Sequence, residues 1–106
     1  MKFIGSIEDD DQLNEKSQIV IYGTGTIGKR LFDFLVKRGL GNNIVAFCDS
    51  NSNLWGTSVK NREVMELKEI TRRFPHADYL VGSCCVRQIT ETLLENDIER
   101  IHIVRS

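Results

Sequence analysis

One segment constrains this chain more than any other: Gly23-Thr24-Gly25-Thr26-Ile27-Gly28, three glycines in G-x-G-x-x-G spacing. It follows Ile19-Val20-Ile21-Tyr22, a β-branched and aromatic run suited to a strand buried on both faces. It leads into Ile27, Leu31, Phe34 and Leu35, an apolar stripe of helical period that should end near Gly39, a natural C-terminal cap. In this setting each glycine has a physical task. The first permits a tight turn out of the strand, the second lets a pyrophosphate approach bare backbone, and the third lets helix and strand pack closely. The helix start then offers unsatisfied N–H groups and the positive end of a dipole to a phosphate. The same glycines would also close a strand-to-helix turn in a domain that holds no ligand.

A second apolar run, Ile44-Val45-Ala46-Phe47-Cys48, stops at Asp49, about 20 residues beyond the last glycine. A carboxylate there accepts hydrogen bonds from a ribose diol and repels a 2′-phosphate, which favours NAD-type over NADP-type ligands; the alternative is a plain turn residue. Ser50 and Asn51 continue the polar loop, where Asn51 and Asn53 suit either a ribose or a turn. Thr24 and Thr26 suit either a phosphate or helix capping. Trp55 is placed to cover a base or to cap the core edge, with Gly56 turning the chain.

The remaining pattern alternates. Val59 and Val64 flank a turn expected at Asn61-Arg62, a small hairpin-like excursion. Leu67, Ile70 and Phe74 support a helix over about Leu67 to Arg73, stopped by Pro75. Tyr79-Leu80-Val81 forms a third strand ending in Gly82-Ser83, Val86, Ile89, Leu93 and Leu94 mark another amphipathic helix ending near Asn96-Asp97, and Ile101 to Val104 forms a fourth strand. The expected class is α/β: a Rossmann-like open parallel sheet of about four main strands, helices on both faces, and the hairpin after the second strand. Residues 1–16, with the acidic run Glu8 to Asp11, read as an extension or linker remnant, and 17–106 as one nucleotide-binding domain. Strand ends at the carboxyl edge of such a sheet face the ligand. The candidate cofactor-binding residues are therefore Gly23, Thr24, Gly25, Thr26, Ile27, Gly28, Asp49, Ser50, Asn51, Gly82 and Ser83.

Exclusions narrow the chemistry. Fourteen Lys and Arg against fifteen Asp and Glu leave no basic footprint for phosphate counterion release, so no nucleic-acid partner is expected. No uncharged stretch approaches the roughly 20 residues of a membrane span, and no leader pattern opens the chain, so a cytoplasmic address is expected. Three cysteines, Cys48, Cys84 and Cys85, lack zinc or disulfide-framework spacing and read as reduced thiols. Cys85, near a helix start, has one of the two conditions for a nucleophilic thiol; a soft-metal reading would require His76 and His102 to converge on the adjacent thiols. Neither Tyr22 nor Tyr79 has a lysine four residues on, and there is no phosphate loop ending in Gly-Lys-Ser/Thr. No catalytic residue and no metal ligand is assigned, and catalysis by the isolated chain is not expected.

The runs Ile19 to Gly28, Val45 to Asn51, and Trp55-Gly56 with Val59 and Val64 resemble the small Rossmann-like domains attached to bacterial sugar and polysaccharide enzymes. Those enzymes include sugar-nucleotide acetyltransferases, nucleotide-sugar dehydratases, methyltransferases and glycosyltransferases. The resemblance spans roughly Ser17 to Val104. It implies a nucleotide, UDP-sugar or NAD(H) ligand on Gly23, Gly25, Gly28 and Asp49, and a larger catalytic domain or partner chain. The alternative is a regulatory domain that senses NAD(H) or adenine nucleotide, as potassium-channel regulatory domains and redox-sensing repressors do with a similar loop and acidic residue.

Overall fold

The computed structural model describes residues 2–4, 16–81, 86–98 and 100–104. Seven strands, β1 (Lys2–Ile4), β2 (Ile19–Tyr22), β3 (Ile44–Cys48), β4 (Ser58–Val59), β5 (Arg62–Met65), β6 (Asp78–Val81) and β7 (Ile101–Val104), lie in the order β1-β7-β6-β2-β3-β5-β4. All neighbours pair in parallel except β4 and β5, which form an antiparallel hairpin. Three helices, α1 (Thr26–Lys37), α2 (Leu67–Arg73) and α3 (Val86–Glu95), connect them. The chain is thus an α/β protein.

Side-chain alternation along β2 builds two cores. Ile19 and Ile21 pack with Leu31, Phe32 and Leu35 of α1, Phe47, Val64 and Leu80. Val20 and Tyr22 meet Leu67 and Ile70 of α2 and Leu93 of α3 on the opposite face. All four β2 residues are buried, as their unbroken apolar run predicts. Phe32 and Phe47 stack with centroids 6.0 Å apart.

Helix α1 ends through local chemistry. Gly39 takes φ +80°, its N–H donates to Val36 O and the Leu40 N–H donates to Leu35 O, the paired bonds of a Schellman cap. Buried Leu40 packs in the same core as Leu35.

Two features depart from expectation. Among the described residues the sheet has seven strands where about four were expected, because Arg62-Glu63-Val64-Met65 joins it in parallel beside β3 and carries its hairpin partner Ser58–Val59 with it, and Lys2–Ile4 adds an edge strand beside β7. β5 has no apolar run to mark it: Glu63 is exposed and only Val64 and Met65 are buried. The hairpin turn falls on Lys60-Asn61, at φ 52° and 64°, one residue before the expected Asn61-Arg62. Two consecutive positive φ values match the right-handed twist of the flanking strands. Arg62 is thereby freed for β5, where its Nε donates to Ile44 O at 2.7 Å and its Nη2 to Gly41 O at 2.8 Å. Its guanidinium lies 5.4 Å from the centre of the Phe32 ring.

Candidate functional site

The path of the chain sets where a site can form. From β2 it passes through α1 to β3 on one side; from β5 it returns through α2 to β6 on the other side of β2. Connections that leave neighbouring strands in opposite directions open a crevice at the carboxyl edge of the sheet. Tyr22 is in register with both Cys48 and Val81 there, so Gly23 and Asp49 emerge side by side. The Gly23 N–H donates to Cys48 O at 2.7 Å and fixes the first turn of the loop.

The three glycines have distinct roles. Gly23 adopts φ 108°, a conformation side chains disfavour. A Cβ on Gly28 would sit 3.1 Å from the carbonyl carbon of Gly23 and well under 3.0 Å from its oxygen, so α1 packs on the loop backbone only because residue 28 is glycine. A Cβ on Gly25 would meet nothing within 4 Å. Gly25 is also the N-cap of α1 and supplies no side-chain cap, and the first intrahelical bond runs from Lys29 N to Gly25 O at 3.0 Å. The helix start therefore presents backbone donors beside open space. Thr26 is exposed and Ile27 half-buried at this first turn.

Asp49 is half-buried at the end of β3 with both carboxylate oxygens engaged. The Thr24 hydroxyl donates to Oδ2 at 2.9 Å, and the Asn51 N–H donates to Oδ1 at 2.9 Å. A hydroxyl has a single O–H to donate, so in this arrangement Thr24 does not donate to a phosphate. Asn51 Oδ1 accepts from Asn53 N at 3.0 Å, which makes both asparagines turn formers here. Ser50 is exposed beside them. The Trp55 indole N–H donates to Asp49 O at 2.7 Å, holding an exposed ring next to the carboxylate residue. Nothing in the sequence pattern pointed to the contacts of Trp55 and Thr24 with Asp49, because they link separate loops.

Burial shapes the chemistry beneath the edge. Burial pushes the Tyr22 phenol up to about 12, helped by the neighbouring Cys48 and Asp49. Burial, then Asp49 and Glu66, raises the Cys48 thiol well above its ordinary range. Cys48 is thus a packed core residue, inert as a nucleophile. Gly82, Ser83, Cys84 and Cys85 follow β6 in the chain and lie outside the described residues. His102 is buried on β7 with Nε2 3.0 Å from Asp78 Oδ1, and Arg100 Nε reaches the same oxygen at 3.2 Å. His76 is exposed in the turn after α2. Among the described residues no three His, Cys, Asp or Glu side chains group as metal ligands, and no helix is long and apolar enough to cross a membrane.

Comparison with known proteins adds kinship. The family model "C2185-like, N-terminal" matches residues 15–104. The redox-sensing transcriptional repressor Rex of Clostridium botulinum strain Hall is 28% identical over 94 residues, covering 84% of this chain and 45% of the repressor. The Rex repressor of strain Loch Maree is 27% identical over the same length. The crystal structure of RSP, a Rex-family repressor, superposes with a TM-score of 0.64 at 17% identity, covering 87% of this chain and 47% of that one. The chain spans less than half the length of the curated relatives it matches.

These findings correct three expectations. The kinship with domains of sugar and polysaccharide enzymes, and with it the reading as a nucleotide-sugar module serving a transferase or dehydratase, gives way to similarity with redox-sensing repressors. The glycine loop and acidic residue do not distinguish these groups. The segment that argued for sugar chemistry has local duties instead: Trp55 bonds Asp49 O, while Gly56 takes φ +85° and donates to Val64 O. The exclusion of a nucleic-acid partner also falls, since the relatives are transcriptional repressors. A net charge of −1 summed over a chain covering 45% of such a protein says nothing of the remainder.

Proposed function

The chain belongs to the C2185-like N-terminal family, and from that premise we propose that it is the NAD(H)-binding module of a redox-responsive regulator. The observation that carries this reading is the pairing, at one sheet edge, of an open Gly25 at an uncapped helix start with an Asp49 carboxylate fixed by two hydrogen bonds. Taken in chain order from β2, the strands beside it run β5-β3-β2-β6-β7, the 3-2-1-4-5 order of a Rossmann-like sheet. On this reading residues 17–106 are the nucleotide-binding unit and 1–16 an extension of it.

Gly23, Gly25, Thr26, Ile27 and Gly28 receive the pyrophosphate on the helix start. Asp49 takes the adenosine ribose diol, with Thr24, Ser50 and Asn51 shaping its loop and Gly82 and Ser83 contributing from the chain after β6. The relatives' role as redox-sensing transcriptional repressors supports NAD(H) over other nucleotides. Sensing further requires that reduced and oxidised dinucleotide differ in affinity, because a ligand shifts an equilibrium only by its differential binding.

Isothermal titration of the chain with NADH, NAD+, NADPH and UDP-glucose tests the reading. NADH or NAD+ should bind with NADPH weaker. Gly25→Val should abolish binding by filling the phosphate space, and Asp49→Ala should weaken it by about 1–3 kcal/mol, the worth of a charged hydrogen bond. Retained binding in Gly25→Val, or preference for the UDP-sugar, would refute the assignment.

A further inference from the structure

We propose that Thr24 is the positioning residue that lets Asp49 discriminate a 2′-hydroxyl from a 2′-phosphate, an inference that rests on the NAD(H) reading above. Thr24 belongs to the glycine loop after β2 and Asp49 to the loop after β3, 25 residues apart, and their 2.9 Å hydrogen bond ties one loop to the other. The Asn51 N–H holds the second carboxylate oxygen at 2.9 Å. A carboxylate has about four acceptor positions, so two engaged from within the protein leave roughly one per oxygen for vicinal hydroxyls.

The plane of the Asp49 carboxylate is thereby set before a ligand arrives. Its backbone is anchored as well, since Asp49 O accepts from the Trp55 indole at 2.7 Å. A fixed carboxylate aids both halves of discrimination. It meets a diol without losing side-chain freedom, and it cannot swing aside to relieve repulsion from a 2′-phosphate. Removing the Thr24 donor releases one oxygen, so the diol loses a pre-arranged partner and the phosphate gains an escape.

The test is a titration of the 106-residue chain and two variants with NADH and NADPH, alongside thermal unfolding. Thr24→Val keeps the shape and deletes the donor; Thr24→Ser keeps the donor. Thr24→Val should bind NADH several-fold more weakly and NADPH somewhat more tightly, so the NADH-to-NADPH preference contracts about tenfold. Thr24→Ser should restore most of that preference, which a purely structural role for the threonine methyl would not. An unchanged preference in a folded Thr24→Val, in a chain that binds NADH, overturns the role of Thr24 alone. Binding of neither nucleotide by the unaltered chain overturns this inference together with the reading on which it rests.

Discussion

Gly28→Ala tests the glycine loop through stability alone. Alanine normally improves a helix interior, by about 1 kcal/mol relative to glycine. At this position the added methyl carbon would lie 3.1 Å from the Gly23 carbonyl carbon and well under 3.0 Å from its oxygen, where ordinary contact begins at 3.4 Å. The obstacle is backbone, held by the Gly23 N–H bond to Cys48 O at 2.7 Å and by β2 paired on both sides. Helix and loop must separate by roughly 1 Å, overpacking that costs about 3 kcal/mol. The net loss is about 2 kcal/mol, a fall of roughly 10 °C in Tm for a domain of this size. Gly25→Val is the control: with φ −76°, ψ −165° and nothing within 4 Å of its Cβ, it should change stability by no more than about 1 kcal/mol. Urea unfolding of both variants, followed by circular dichroism, measures the contrast. Equal or greater stability in Gly28→Ala would refute the claim that the third glycine serves close packing.

Two further outcomes follow from the packing. Arg62→Ala should destabilise the chain by about 2 kcal/mol, since it strips two carbonyls, Ile44 O and Gly41 O, of a charged donor and uncovers the Phe32 ring; Arg62→Lys should recover little, because an ammonium cannot span both carbonyls. Stability should also fall on the alkaline side. The Tyr22 pKa is raised in the fold, from an ordinary value of 10.0 to about 12, so its contribution is full below pH 10 and is lost as pH rises toward 12, the unfolded chain releasing its proton first. Cys48 and Tyr79, raised by burial in the same way, steepen the decline from their own ordinary values upward. Urea midpoints from pH 8 to 11 should show it, and a flat profile would contradict the burial of these groups.

The legible elements were those whose signals are local. Ile19–Tyr22 and Ile44–Cys48 are continuous apolar runs, α2 sits between Leu67 and Pro75, and Gly39 marks the end of α1; each was readable from neighbours a few residues away. β5 was not, because its place beside β3 is decided by Val64 and Met65 entering cores assembled from distant residues. The Arg62 clasp has the same origin: its partners Ile44 and Gly41 lie 18 and 21 residues away. At the site, the glycines and Asp49 stood out by spacing, while the Thr24 bridge and the Trp55 anchor emerged only when two loops met. Kinship is hidden from the sequence for a related reason: the glycine loop and acidic residue that suggest domains of sugar enzymes suit redox-sensing repressors equally, and the relatives found are the repressors.

Trp55 is the chain's one tryptophan, pinned by its indole N–H to the backbone of Asp49. Its emission therefore originates from one known point beside the carboxyl edge. Reduced nicotinamide absorbs in the range where indole emits, and the oxidised ring does not. A dinucleotide seated at that edge would quench Trp55 by energy transfer only in its reduced form, so a titration followed at the Trp55 emission would separate reduced from oxidised ligand without any added label.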